Sequence, residues 1–434
     1  MDAEPGRDAS PAAWISLVVV AGCVVFLLQA CFGTTEAPVP LVPPEPPSTR
    51  LSSPQALAPF FASLAALDTK QARQPARILQ IGDSHTANDA LSGRMREHFQ
   101  SRFGEAGRGW LPAGIPFKYY RPHLVSVTEI GWQHVKPSDH AGVALGLDAI
   151  AAVSQPPDAE MIIESTEAGG FDRFGVEFLT QPNGATFTVS VDDGIPIRVS
   201  TVTAVTAIKR IDLPLEHPAR RVELRATGRP PVVLLGWAVE RQAPGVIYEN
   251  HGTIGATVGL LGQMTPEGVS FEFNERSPAL LVVAFGTNEG FDDDLDLNRY
   301  ASRFEENVKA LQHAANGVPI LILGAPDGNR AARGCPHTSC GSTADKCAWH
   351  EPIKLAAVRE IQRRVAARQH WAYWDWFAAM GGACSIDRMA QADPPQAMQD
   401  HVHLSTPGYR AMADLLFGDL MREYERWKAQ SRTS

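Results

Sequence analysis

The stretch Arg77-Ile78-Leu79-Gln80-Ile81-Gly82-Asp83-Ser84-His85-Thr86-Ala87-Asn88-Asp89 constrains this chain more than any other. Ile78 to Ile81 is a short apolar run that reads as a buried strand, and Gly82 and Asp83 break it. From Asp89 to Phe103 the pattern turns helical, with Leu91, Met95, Phe99 and Phe103 recurring every four residues. Ser84 therefore sits on a sharp turn between strand and helix, near the positive end of a helix dipole. A nucleophile whose attack creates an oxyanion is well placed there. Taken alone, Gly-Asp-Ser ahead of a helix is also what a helix-capping serine looks like.

Three downstream segments separate the two readings. Asp400-His401-Val402-His403-Leu404-Ser405 lies just before Thr406-Pro407-Gly408-Tyr409, which opens the final helix. An Asp three residues before a His, in a loop, lets the carboxylate reach the imidazole from the same short segment. It then fixes the tautomer, and the other ring nitrogen is free to take a serine proton. Gly286-Thr287-Asn288-Glu289 follows the apolar strand Ala279 to Phe285, and Gly252-Thr253-Ile254-Gly255-Ala256-Thr257 follows Val246-Ile247-Tyr248. Each offers a hydrogen-bond donor at a strand end, the Asn288 amide and the Gly255 backbone N–H. Ser, Gly, Asn and His in that chain order resemble the four signature blocks of the SGNH (GDSL-type) hydrolase family.

A chain of 434 residues, 44% hydrophobic and 20% charged, has room for two domains plus a tail and can bury most of its length. Its net charge of -9, without a long basic block, argues against nucleic acid as a partner. After Asn288 the pattern alternates: helix Leu297 to Ala315, strand Val318 to Leu323, helix Lys354 to Gln369, strand Trp371 to Trp374, and a closing helix from Pro407 to about Lys428. Strands separated by helices predict an α/β fold, a parallel sheet with helices on both faces, with the four blocks at the carboxyl edge. About 140 residues between the Ser84 helix and the Gly255 block are more than such a connection needs. Thr186 to Val191 alternates strictly, Asp192-Asp193-Gly194 supplies a turn, and Arg221 to Arg225 and Val232 to Val239 read as further strands. These predict an inserted β-sandwich, either carbohydrate-binding or a structural spacer. The expected organisation is a tail at 1–11, an anchor or signal segment at 12–33 and a Pro-rich tether at 34–50. The catalytic domain would occupy 51–115 and 242–434, with the sandwich at 116–241.

Ala12 to Cys31 is nearly all apolar and long enough to span a bilayer. Arg7 sits among Asp2, Glu4 and Asp8, which is not the basic start of a cleaved signal peptide. An uncleaved anchor is therefore expected, with lipidation of Cys31, in Leu28-Gln29-Ala30-Cys31, as the alternative. Either way the bulk of the chain is expected to be exported and to face the periplasm or cell envelope. Pro54 to Leu67 reads as a short helix packed on the catalytic domain. Cys335, Cys340, Cys347 and Cys384 read first as two disulfides of unspecified pairing. Cys335 to Cys347 with His337 and His350 is the zinc alternative, although the spacing matches no common zinc motif.

Ile81 to Ala87, Arg102-Phe103-Gly104-Glu105-Ala106-Gly107-Arg108-Gly109-Trp110 and the β-rich insertion together narrow the likeness. They resemble bacterial peptidoglycan O-acetylesterases, in which an SGNH (flavodoxin-like) domain carries an inserted sandwich similar to carbohydrate-binding modules. The resemblance implies Ser84 as nucleophile, His403 as base and Asp400 as its orienting partner. Gly255 and Asn288 would complete an oxyanion hole with the Ser84 N–H. It implies an O-acetylated polysaccharide substrate, an acetyl-serine intermediate, and no metal or organic cofactor. Glu289 departs from the usual Gly-x-Asn-Asp block, which leaves the role of that carboxylate open. His85 and His401 are expected either to support the triad or to contact substrate. An O-acetyltransferase using the same triad, or a cell-wall-binding protein without activity, are the competing readings.

Overall fold

The computed structural model describes residues 50–136, 145–229, 231–331, 339–340 and 349–432. Five parallel strands form its central sheet: Ala76–Gly82, Val246–Gly252, Leu280–Ala284, Ile320–Leu323 and Ala372–Trp374. Numbered along the chain, they lie side by side in the order 2-1-3-4-5. The short segment Leu51–Ser52 adds an antiparallel edge beside the last strand. This is the flavodoxin-like order, and its connections reverse direction between the first and third strands.

Each strand is buried on both sides, which explains why apolar runs rather than alternation mark it in the sequence. Ile78, Val282 and Trp374 face one core with helices Ala58–Asp68, Ala90–Phe103 and Thr406–Ser431. Leu79, Ile81 and Val283 face the other, with helices Pro266–Arg276, Leu297–Ala314 and Leu355–Arg368. The doubly wound α/β architecture expected from the sequence is the one observed.

The connection between the first two parallel strands folds into two antiparallel sheets. One has the order 197–200, 186–191, 221–227, 160–165, 125–130, and the other 207–219, 171–180, 233–240, 151–154, 132–135. Phe174, Val176 and Trp237 of the second sheet share a cluster with Ile163, Phe187 and Leu224 of the first, as a sandwich requires. Strand Gly107–Pro112, ahead of Pro116, already pairs with Val233–Glu240. The 13-residue strand Ala207–Ala219 has no counterpart in the sequence reading. Pro214 and Pro218 disguise it, and it tolerates them because it is an edge strand.

Buried charges tie the insert to the parallel sheet. Arg77 of the first parallel strand binds both oxygens of Glu240 at 2.8 Å and reaches Glu249 at 3.1 Å. The Arg276 guanidinium lies 3.2–3.5 Å from Glu177, Glu249 and Glu272, and 4.1 Å from the centroid of the Trp110 ring. Asp148 accepts from the Trp110 indole at 2.6 Å and meets His251 at 2.9 Å. Burial pushes Glu177 up to about 7; burial opposes the charge on His251, but Asp148 and Glu249 raise that ring to about 9.

Among the described residues no helix is long and apolar enough to cross a membrane. The expected anchor at 12–33, and the tether apart from Arg50, lie outside the described residues. Cys384 is disulfide-bonded. The side chains of Cys335, Cys340 and Cys347, and so the pairing and the zinc alternative, also lie outside them.

Candidate active site

The Ser84 turn is assembled where three strands end level. Gly82 is in register with Gly252 on one side and Ala284 on the other. The ends are sewn together by Asp83 N–H to the Ala284 carbonyl (3.2 Å) and Thr253 N–H to the Gly82 carbonyl (2.9 Å). A Cβ at Gly82 would stand 2.3 Å from Thr86 Oγ1 and 2.4 Å from the Ala284 oxygen, so only glycine fits. Ser84–Ala87 is a single helical turn, and the Asp83 carboxylate caps it by accepting the His85 N–H at 3.0 Å. Gln80, a polar residue within the buried part of the strand, braces the turn. It donates to Thr86 Oγ1 at 2.9 Å and accepts the Tyr248 hydroxyl at 2.8 Å.

From this turn Ser84 presents Oγ 2.8 Å from His403 Nε2. His403 Nδ1 lies 2.7 Å from Asp400 Oδ2, while Asp400 Oδ1 accepts the N–H groups of Val402 and His403 at 2.9 and 3.0 Å. Burial opposes the charge on Asp400, but the His403 bond and these backbone donors outweigh it and hold the carboxyl well below its usual range. The Asp400 hydrogen bond raises the His403 pKa, burial opposes this, and the nearby charges of Asp400 and Asp83 add to the rise. The bonding fixes Nδ1–H toward Asp400 and leaves Nε2 to accept a proton from Ser84.

Asn288, in the helical turn Thr287–Gly290, adjoins the loop that carries Gly255. The Asn288 amide nitrogen donates to the Ala256 carbonyl at 2.7 Å, which leaves its second hydrogen for another acceptor. Gly255, at φ 73°, is exposed, and a Cβ there would meet nothing within 4 Å. Glu289 has a position of its own: it is buried, and Oε1 accepts the Val258 N–H at 2.7 Å. Consecutive side chains, Asn288 and Glu289, thus clamp the loop 256–258. Burial raises the Glu289 pKa, and burial followed by the Glu289 charge pushes Asp83 up to about 7.

His85 and His401 are both buried. His85 Nδ1 is 2.9 Å from the Tyr409 hydroxyl, and its ring centroid is 5.3 Å from that of His403. Burial and then the His403 charge push it down to about 3, which keeps it neutral beside His403. His401 Nδ1 hydrogen-bonds to Asp387, and its ring stacks on Trp349 at 3.7 Å. Both rings therefore engage protein partners.

Several supporting residues escaped the sequence reading. Asp89 binds Arg96 at 3.2 Å, Arg108 at 3.0 Å and the His123 N–H at 2.8 Å. Asn250 donates to the Thr86 carbonyl at 2.5 Å and to Ser92 Oγ at 2.6 Å. The available signal was polarity out of place: Gln80 and Asn250 are amides within strands, and Asp89 opens a helix.

The GDSL-like lipase/acylhydrolase family model matches residues 220–411. Among solved structures, a peptidoglycan O-acetylesterase superposes with a TM-score of 0.70 at 24% identity, covering 85% of this chain and 96% of that one. At that identity the likeness is one of fold. Family two carbohydrate esterases from Clostridium thermocellum and Cellvibrio japonicus match at 12% identity, each over 70% of this chain and 100% and 99% of theirs. Their TM-scores are 0.29 and 0.25, too loose to bear an argument. No curated protein matches the chain. The family match begins at residue 220, long after Ser84, and the insert lies between Ser84 and the rest of the parallel sheet. Residues 220–411 thus resemble the GDSL-like lipase/acylhydrolase family, on a fold shared with a peptidoglycan O-acetylesterase.

Proposed function

We propose that this protein is a serine carbohydrate esterase that removes O-acetyl groups from an exported polysaccharide, peptidoglycan foremost. The observation that carries the reading is the hydrogen-bonded chain Ser84–His403–Asp400 at the carboxyl edge of the sheet. His403 Nε2 takes the Ser84 hydroxyl proton as Oγ bonds to the acetyl carbonyl carbon. The oxyanion is held by the Ser84 and Gly255 N–H groups and the free hydrogen of the Asn288 amide. The ester C–O bond then breaks, and the sugar oxygen leaves with the proton from His403. Water, deprotonated by His403, attacks the acetyl-serine, releases acetate and restores the serine. None of these steps calls for a metal or organic cofactor. The fold shared with a peptidoglycan O-acetylesterase supports the choice of polymer.

In this reading residues 12–33 anchor the chain and the catalytic part faces the periplasm or cell envelope. Carbonate extraction of membranes should leave the protein membrane-bound, and its release would refute the anchor. Incubation with O-acetylated and de-acetylated peptidoglycan, following free acetate, tests the function. Acetate should appear only from the acetylated polymer; none from either would overturn the substrate assignment. Labelled acetyl moved to a glycan hydroxyl instead of water would assign the transferase alternative.

A further inference from the structure

A cavity of about 400 Å³, lined by residues that follow the Ser84 turn and the His403 loop in sequence, plays no part in the catalytic steps. Its inner wall includes Asn88, whose N–H closes the Ser84 turn on the Ser84 carbonyl at 3.3 Å, and Thr406, three residues beyond His403. Its outer wall includes Tyr119, Arg121 and His123, from the segment leading into the antiparallel sheets. The cavity is therefore shared between the catalytic sheet and the insert, one helical turn from the nucleophile.

Its chemistry is specific. Tyr119 is 72% exposed, and Lys118 Nζ lies 5.4 Å from its ring centroid. A flat aromatic face at a cavity mouth suits the C–H face of a pyranose, which packs against it while the ring hydroxyls stay in water. Arg121 is exposed; one of its nitrogens donates to the Tyr120 carbonyl at 2.8 Å. It forms no ion pair among the described residues, so the rest of the guanidinium fork is open to a carboxylate. Neighbouring acids do not cancel this charge. Glu97 is already held by Arg94 and Arg410 at 2.8 Å each and by His123 at 3.2 Å. Asp89, beneath, is held by Arg96 and Arg108.

We propose that this cavity is a subsite for a carboxylate-bearing saccharide of the substrate polymer, with a sugar ring on Tyr119 and the carboxylate on Arg121. The proposal rests on the polysaccharide esterase reading and deepens it: the insert would select anionic over neutral acetylated glycans. The carboxylate comes from the sugar itself or from a peptide attached to it, and the two sources share one chemistry.

The test is titration calorimetry on the full chain carrying Ser84→Ala, with disaccharide-peptide fragments of peptidoglycan as ligand. Adding Arg121→Ala should weaken Kd about tenfold, as for loss of a charge-assisted hydrogen bond, and Tyr119→Ala by a similar factor. Amidating the carboxylates of the fragment should reproduce the Arg121→Ala loss, with no further loss when both changes are combined. This arm needs no variant at Arg121, so misfolding cannot imitate it. Arg198→Ala, on the distant edge strand of the insert, should leave Kd unchanged. A peptide-free fragment with a free sugar carboxylate locates the source: retained Arg121 dependence assigns it to the sugar, lost dependence to the peptide. A Kd that moves less than about twofold on both Arg121→Ala and amidation would overturn the subsite. Binding that follows this pattern without acetate release by the wild type would instead defeat the esterase reading. Acetate release indifferent to Arg121 would do the reverse.

Discussion

Asp400 uses one oxygen to hold the His403 ring and the other to hold two peptide N–H groups of its own loop. The Nδ1 side of the ring is therefore held within a segment of four residues. Because the Asp400 bond is the largest influence raising the His403 pKa, this ring should hold its proton more tightly than an ordinary imidazole. The acid limb of kcat/KM should lie above that of an ordinary imidazole, since the ring must be neutral to accept the Ser84 proton. Asp400→Asn should lower kcat about 10²–10⁴-fold and move the surviving limb to lower pH, because the raising influence is gone. A pH–rate profile reads both effects, and a limb that stays put would detach Asp400 from the base. Asn288→Ala should cost about 10²–10³ in kcat, as for one oxyanion donor, with KM little changed. Steady-state kinetics that show an unaltered kcat would remove Asn288 from the site.

Strands and helices with their own periodicity were legible. Ile78 to Ile81 lies within Ala76–Gly82, and the reading from Asp89 to Phe103 lands on Ala90–Phe103. The strand Ala207–Ala219 was not legible, since at a sheet edge neither proline nor charge is excluded and no burial pattern survives. Equally hidden was what holds the helix after Ser84 in place. Asp89 accepts from Arg96, Arg108, Ser92 and the His123 N–H while nearly sealed from solvent. Burial opposes its charge, yet the two arginines outweigh that and keep the carboxyl far below its usual range. Asp89→Ala would strand two buried guanidinium groups and should cost about 3–5 kcal/mol of stability. Thermal denaturation would show this as a clear fall in Tm. A shift within error would mean that water already shares the load.

At the scale of the whole molecule, the four blocks and their edge of the sheet were readable because each lies in a contiguous stretch of sequence. The joint between insert and sheet was not: Arg77 meets Glu240 across 163 residues, and Arg276 meets Glu177 from the far side of the insert. No local pattern announces such partners. The joint has a consequence for dissection. Replacing Pro116 to Arg241 with a Gly-Ser linker would remove Glu177 and Glu240 and leave Arg77 and Arg276 short of their buried counter-charges. The shortened protein should lose its cooperative melt, and with it hydrolysis of both peptidoglycan and a small ester such as p-nitrophenyl acetate. A shortened protein that still melts cooperatively and cleaves the small ester would show that the insert is energetically separate.

In the proposed mechanism Ser84 carries the acetyl group between ester and water. Rapid acid quenching during turnover of p-nitrophenyl acetate, followed by mass spectrometry of the peptides, addresses it directly. One acetyl group should be found on the peptide containing Ser84, and none on the same peptide from Ser84→Ala, which should also release no acetate. Acetylation at another residue, or turnover that survives Ser84→Ala, would contradict the claim.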